Sequence, residues 1–266
     1  MSDRVLITGA SSGIGKETAL LYASEGASLF LVARREERLS EVADLCRKAG
    51  SPQVSIHTQD LSVPGAGRKI VEQCLRSLGG LDILICNAGY GVVGPVSEVT
   101  PEEMERVWRV NFQAGYESIH AAIPHFLAQK HGRIVLVSSI VGKKAMPYMG
   151  PYCATKFAQV GLGESLWGEL SHRGIGVSVI CPSYTATEFS TASYKTKGVR
   201  SENPTRPVKG QSPKVVARAL VQAVKRNRRE VHLTVSGKLL LFIDRFSRSL
   251  STWIMATHGR KEREPS

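Results

Sequence analysis

Tyr152 and Lys156 stand four residues apart in "PYCATKF", directly after Pro151. Proline is favoured at the first position of a helix, and the spacing i, i+4 places both side chains on one helical face. A tyrosine at its ordinary pKa of about 10 is a poor acid or base at neutral pH. A neighbouring ammonium favours the phenolate and draws the phenol toward the working range, so a lysine at this spacing matters for its charge. Ser138 and Ser139 end the apolar run "GRIVLVSS". A hydroxyl at that point can hydrogen-bond the carbonyl oxygen that Tyr152 would protonate. Each feature alone has an ordinary reading, because a helical Tyr/Lys pair is usually surface decoration and a serine ending a strand usually caps a turn. Together, in this order, they point to proton transfer at a carbonyl or hydroxyl group.

Such chemistry needs a scaffold that brings a strand end and a helix start together. The runs "RVLITG", "SLFLVA", "VSIHTQD", "LDILICNAG", "GRIVLVSS", "GVSVICP" and "EVHLTV" are β-branched, and helix-length segments separate them. Continuous apolar strands with long crossovers predict an α/β fold, a single Rossmann-type doubly wound sheet of about seven parallel strands with helices on both faces. Parallel sheets place their ligands at the carboxyl ends of the strands, where Ser139 falls.

The first strand ends in "TGASSGIG", and a helical pattern opens near Gly13. Glycines at such a turn admit a diphosphate close to the backbone, and free amides with the helix dipole favour its charge. Gly9, Ser11, Ser12, Gly13, Ile14 and Gly15 are therefore candidate cofactor-binding residues. About 20 positions further on, a carboxylate would bind a ribose 2′-OH, whereas an arginine would accommodate a 2′-phosphate. Arg34 and Arg35 stand there, 19 and 20 residues beyond Gly15. The charged run "RREERLSE" also reads as a solvated helix start, yet arginines are poorly placed at a helix N-terminus unless an anion joins them. The expected cofactor is NADP(H), with Arg34 as the principal 2′-phosphate ligand and Arg35 as its helper.

These motifs resemble those of the short-chain dehydrogenases/reductases, from about Arg4 to Leu233. "TGASSGIG" is similar to that family's cofactor turn, "NAG" at Asn87, Ala88 and Gly89 to its motif after the fourth strand, and "RVNFQA" to the segment carrying its helical asparagine, Asn111. The resemblance implies a tetrad of Asn111, Ser139, Tyr152 and Lys156. Tyr152 would transfer the proton while hydride passes between nicotinamide and carbonyl carbon, Ser139 would polarise the oxygen, and Lys156 would lower the tyrosine pKa and bind the ribose. Asn111 would anchor a water that links Lys156 to solvent. By the same resemblance Asp60, followed by Leu61, matches the position that contacts the adenine, and Thr187, five after Pro182, matches the residue holding the nicotinamide amide. Where the family often has Pro-Gly after the sixth strand, this chain has Pro182-Ser183. A non-catalytic NADP(H)-binding sensor or scaffold is the alternative, and such relatives typically lack the tyrosine or the lysine.

Composition bounds the rest. The 266 residues, 42% hydrophobic and 22% charged, describe an ordinary globular chain, read as a catalytic domain over 1–236 with 237–266 as a basic amphipathic helix and tail of the same domain. Five scattered cysteines without a CxxC pair, and histidines without a ligand spacing, predict reduced buried thiols and no metal. The absence of a signal-like or membrane-spanning apolar stretch predicts a cytoplasmic protein. The stretch from Ser183 to Gln211 has no clear period and is expected to be a substrate lid, disorder being the plainer reading.

Residues 195–266 carry 17 basic and 5 acidic residues, which accounts for the whole net charge of +12. There Leu239, Ile243, Phe246, Leu250, Trp253 and Thr257 recur as one helical stripe. The plainest reading packs that stripe on the domain. Its alternatives are a membrane surface, a cover for a pocket that draws an acidic carrier or acyl-CoA substrate, or nucleic acid, for which no motif is present and which is not expected. Ala154, Ala158, Gly161, Ser165 and Gly168 form a small-residue stripe on the helix that holds Tyr152. Such a face most often packs on the protein's own sheet, while the family resemblance implies a homodimer or homotetramer. The expected substrate is a lipophilic ketone or alcohol, such as a steroid, a long-chain ketone or a 3-oxoacyl derivative.

Overall fold

The computed structural model describes residues 2–196 and 210–263. The chain opens with β1 (Arg4–Thr8), α1 (Gly13–Ser24), β2 (Ser28–Ala33), α2 (Glu36–Lys48), β3 (Val54–Thr58), α3 (Ala66–Leu78) and β4 (Ile83–Cys86). A two-residue strand β5 (Val92–Val93), α4 (Pro101–Trp108), α5 (Ala114–Gln129), β6 (Gly132–Val137), α6 (Gly150–Leu170) and β7 (Ile175–Cys181) follow. Then come α7 (Phe189–Ala192), β8 (Tyr194–Lys195), α8 (Pro213–Lys225), β9 (Glu230–His232), α9 (Val235–Phe246) and α10 (Arg248–Arg263).

Seven strands form one parallel sheet in the order β3-β2-β1-β4-β6-β7-β9. They are the seven apolar runs read from the sequence. Period-2 alternation divides their side chains between two cores. Val5 and Ile7 of β1 face α1, α2 and α8, packing with Tyr22, Leu39 and Leu220, whereas Leu6 faces α3, α5 and α6 with Ile70, Phe126 and Leu166. Helices therefore cover both faces, as the sequence reading expects. The order reverses between β1 and β4, so the crevice at their carboxyl ends is a topological switch point.

Sequence periodicity did not reveal every element. β5 and β8 pair in parallel as a second, two-stranded sheet. The expected lid over Ser183–Gln211 contains α7 and β8, and its ends are tied by a bridge from Thr185 to Gln211. The remainder of that stretch, 197–209, lies outside the described residues.

The single C-terminal helix is a correction. It breaks into α9 and α10 at Ser247, whose φ of −145° and ψ of 94° are extended. Its stripe does not pack as one face either, because Leu239, Phe246, Leu250 and Trp253 are exposed. A second correction concerns α6. Ala154, Gly161, Ser165 and Gly168 face outward, and a Cβ built on either glycine would meet nothing within 4 Å, so this stripe does not pack on the sheet. All five cysteines are buried and free, as expected. No described helix is long and apolar enough to cross a membrane.

Candidate active site

The glycine turn owes its shape to contacts that side chains would block. Gly13 has φ +55°, and a Cβ there would lie 3.0 Å from the Thr187 methyl. A Cβ on Gly15 would sit 2.3 Å from the Gly9 carbonyl oxygen. The turn is braced from β4, for Asn87 Nδ2 donates to the carbonyls of Thr8 at 2.9 Å and Gly9 at 3.3 Å. Thr8 Oγ1 accepts from the amides of Asn87 and Ala88, both at 3.0 Å. Asn87 and Ala88 thus hold the turn from behind. Ser12, at the N-cap of α1, makes no side-chain cap and the first turn of that helix carries no acid. Amides and dipole at this helix start have no carboxylate in the first turn of the helix to offset them, which suits a diphosphate.

Arg34 and Arg35 emerge at the end of β2, beside this turn. Arg34 makes no hydrogen bond or ion pair among the described residues, although its charge helps to lower Asp60. The principal cause of that shift is the Ser62 amide, which donates to Asp60 Oδ1 at 2.9 Å. Arg35 donates to Ser12 Oγ at 3.3 Å and to Glu188 at 3.0 Å, and Arg38 also bonds the Glu188 carboxylate. Glu188 directly follows Thr187 and is held well below the ordinary glutamate range, first by Arg38 and then by Arg35. The segment that follows β7 is therefore tied to the arginines beyond β2. Sequence reading missed Arg38 and Glu188, whose signal is only an acid next to Thr187.

At the end of β6, Ser138 and Ser139 separate by role. Ser138 is buried and donates to the Lys156 carbonyl at 2.8 Å, which fixes α6 against the sheet. Ser139 accepts from the Val141 amide at 3.3 Å and donates to the Pro182 carbonyl at 3.4 Å, and it lies close enough to the Tyr152 phenol to lower its pKa. Ser183, where the family often has glycine, shares a 2.6 Å hydrogen bond with Thr234 at the N-cap of α9. Among the described residues it is not one of the positive-φ positions, so this backbone has no need of glycine.

Tyr152 and Lys156 lie on the buried face of α6, 6% and 3% exposed. The ammonium sits 5.6 Å from the centre of the Tyr152 ring. Its hydrogen bonds go elsewhere, to the Val137 carbonyl at 2.9 Å and to Gln159 Oε1 at 3.0 Å. Burial raises the phenol pKa, and Ser139 only partly offsets it. Burial also lowers Lys156, to about 7. This corrects the expected electrostatics, since the lysine does not depress the tyrosine in the protein alone. Desolvation of both groups outweighs their mutual effect.

Asn111 lies in a π-helical turn, Arg109–Gln113, between α4 and α5. Its side chain accepts from the Tyr90 amide at 3.0 Å and donates to the Tyr90 carbonyl at 2.9 Å and Thr155 Oγ1 at 3.2 Å. Its carbonyl accepts from Gln159 Nε2 at 2.7 Å. Gln159 thus bridges Lys156 and Asn111 directly. A small cavity lined by Asn111, Gln159 and Thr8 adjoins the bridge. The signal for Gln159 was a polar residue at i+3 from Lys156, on the face that must be buried. Among the described residues, Cys181, Glu230 and His232 bring three ligand-type atoms within 4.8 Å of one another, a grouping that linear spacing could not reveal. Glu230 is engaged there by His232 at 2.5 Å and Lys143 at 3.1 Å, which lower it to about 2.

With this geometry in view, relationships to known proteins carry weight. Residues 3–198 match the family model described as short chain dehydrogenase. The chain belongs to that family. It is 32% identical over 98% of its length to dehydrogenase/reductase SDR family member 7B of Bos taurus, covering 82% of that protein. It is 31% identical to 17-beta-hydroxysteroid dehydrogenase 13 of Rattus norvegicus, over 91% of this chain and 78% of that one. Among solved structures, a short-chain dehydrogenase from Sphingobium yanoikuyae in complex with NADPH aligns with a TM-score of 0.79 and 31% identity, over 94% of this chain and 95% of that one. A relative from Burkholderia phymatum in complex with NAD aligns at 0.81 and 25%, with the same coverage. The chain is therefore an oxidoreductase of the short-chain dehydrogenase family, and its relatives support a nicotinamide cofactor and carbonyl/alcohol chemistry.

Proposed function

We propose that the protein interconverts a lipophilic ketone and its secondary alcohol with NADP(H), Tyr152 serving as acid and base. The observation that carries this reading is the Lys156 ammonium held 5.6 Å from the centre of the Tyr152 ring on the buried face of α6, with Ser139 close by at the carboxyl end of β6. A nicotinamide dinucleotide bound along the glycine turn would supply or accept the hydride. The chain does the rest. Tyr152 delivers the proton from its phenolic oxygen, or removes it in the oxidative direction, and Ser139 hydrogen-bonds the same substrate oxygen. Lys156 supplies the charge that stabilises the phenolate left behind, held within reach by Gln159. Asn111, through its carbonyl, positions Gln159.

Arg34, which makes no hydrogen bond or ion pair among the described residues and stands where a carboxylate would otherwise bind the ribose, supports a 2′-phosphate as its partner. Asp60 and Leu61 would border the adenine, and Gly89, Pro182 and Thr187 the nicotinamide end. The substrate class rests on the surroundings of Tyr152. Val93, Val141, Met149 and Cys153 pack there with Ile140, Met146 and Phe189, and the Phe189 ring lies 5.5 Å from that of Tyr152. An apolar wall with two convergent hydroxyls suits a steroid-like or long-chain carbonyl, in keeping with the name of the hydroxysteroid dehydrogenase relative. The outward small-residue face of α6 fits a second copy of the chain.

The test is a comparison of wild type and Tyr152→Phe in NADPH and NADH oxidation over steroids, long-chain ketones and 3-oxoacyl thioesters. The variant should lose turnover by about 10²–10⁴-fold while still binding NADPH. Retained turnover would refute the role of Tyr152, and a preference for NADH would refute that of Arg34.

A further inference from the structure

Helices α9 and α10 carry apolar side chains where a surface helix normally carries polar ones. Val235, Leu239, Phe242 and Phe246 on α9, with Leu250 and Trp253 on α10, are 47% to 83% exposed. On α9 the positions 235, 239, 242 and 246 recur at steps of four and three, and Lys238 and Arg245 are exposed on the same side. The rings of Phe242 and Phe246 lie 4.9 Å apart. Isolated exposed leucines are unremarkable, but six large apolar residues clustered on two adjoining helices, three of them aromatic, mark a contact surface.

The opposite side of the helix pair is already committed to the domain. Lys144 donates to Asp244 at 2.7 Å, to Thr252 at 2.8 Å and to the Arg248 carbonyl at 3.3 Å. Gly237 packs against Ile140 and Ser183, Gly259 against Pro147, and Ser251 and Met255 are buried. The apolar face is thus held outward by a well-bonded inner face.

We propose that this face docks on an anionic lipid surface. Charge selects the occupant. The whole +12 excess belongs to residues 195–266, and Asp244, the acid on α9, is spent on Lys144. Pairing two copies through this face would bring like charges together, whereas anionic headgroups complement them. Outward Phe, Leu and Trp beside Lys and Arg are what an interfacial helix presents to a bilayer, and no described helix is long and apolar enough to cross one. Since α9 begins beside Ser183 and Ile140, next to Ser139, docking would turn the rim of the cleft toward lipid. That last consequence rests on the lipophilic substrate proposed above, whereas the docking itself does not.

Vesicle flotation of the full-length protein tests the proposal, with phosphatidylcholine alone and with phosphatidylcholine mixed two to one with phosphatidylglycerol. Wild type should float with the anionic vesicles and be released by high salt. The double variant Phe242→Ser, Phe246→Ser should lose partition by on the order of tenfold, while its circular dichroism and melting stay unchanged because both rings are exposed. Lys238→Gln with Arg245→Gln should weaken binding to anionic vesicles specifically. No flotation with either vesicle, or equal flotation of wild type and the double serine variant, would overturn the proposal. So would sedimentation velocity showing that the phenylalanines drive self-association and that only the associated form floats. Vesicle binding requires no turnover, so a negative result leaves the reductase reading standing.

Discussion

Gln159 shows how one side chain changes the chemistry of its neighbours. Lys156 is 3% exposed, and removing an ammonium from water would drive it neutral unless acceptors compensate. The Gln159 carbonyl and the Val137 backbone are those acceptors, and burial still lowers the lysine to about 7. Gln159→Leu would delete one hydrogen bond to a charged group, on the order of 1.5–3 kcal/mol, and so lower the Lys156 pKa by at least about one further unit. The alkaline limb of kcat, set by loss of the ammonium, should move down by that amount. Gln159→Glu should move it up, because a carboxylate favours the charged form. A pH profile unchanged in both variants would assign Gln159 a merely structural role. Nothing in the motif "YCATK" announces this residue. A glutamine three positions after the lysine becomes informative only once that face of the helix is known to be buried.

At the scale of elements, the tie between Glu188 and the arginines beyond β2 makes a separate prediction. Glu188 occupies Arg35 and Arg38 with its carboxylate, and a 2′-phosphate near Arg34 and Arg35 would compete for the same donors. Glu188→Gln should therefore tighten NADPH binding by roughly three- to tenfold, as expected for relief of half-exposed ion pairs, and leave NADH binding unchanged. Isothermal titration with both nucleotides decides this, and weaker NADPH binding would instead make Glu188 a closing latch. The elements that could be read in advance were those with strong periodicity. The inner strands of the main sheet are apolar runs, its edge strands β3 and β9 are short β-branched ones, and the turns after β1, β4 and β6 carry their own residue signatures. The tie, the β5–β8 pair and the break at Ser247 were not legible. Two-residue strands leave no period, and a single extended residue interrupts α9 and α10 without a proline or glycine to announce it. Likewise the outward turn of the α6 small-residue stripe depends on which side of that helix meets the sheet.

Over the whole molecule, the buried titratable groups combine into a stability profile. Lys156 has a folded pKa of about 7 against an ordinary 10.5, so the unfolded chain binds more protons across that interval. Stability must then rise with pH from 7 upward. The cysteines act in the opposite sense, because burial raises Cys46 to about 11 and Cys74, Cys86 and Cys181 to about 12 from an ordinary 9.0. Above that ordinary value the folded chain retains protons that the unfolded chain releases, and stability falls. One lysine is balanced by four partly ionised unfolded thiols near pH ~8.5, where stability should be greatest. The depressed carboxylates do not enter this range. Glu230, lowered to about 2 first by its hydrogen bond to His232, contributes stability that is complete above about pH 5 and is lost only as pH falls through its folded value. Melting of the cofactor-free protein between pH 6 and 10 should give a maximum in the mildly alkaline range. In Lys156→Met the rise from pH 7 to 8.5 should vanish while the alkaline decline persists, because only the lysine contribution has been removed. If wild type and variant rise in parallel, Lys156 remains charged in the folded protein and its two acceptors outweigh its burial.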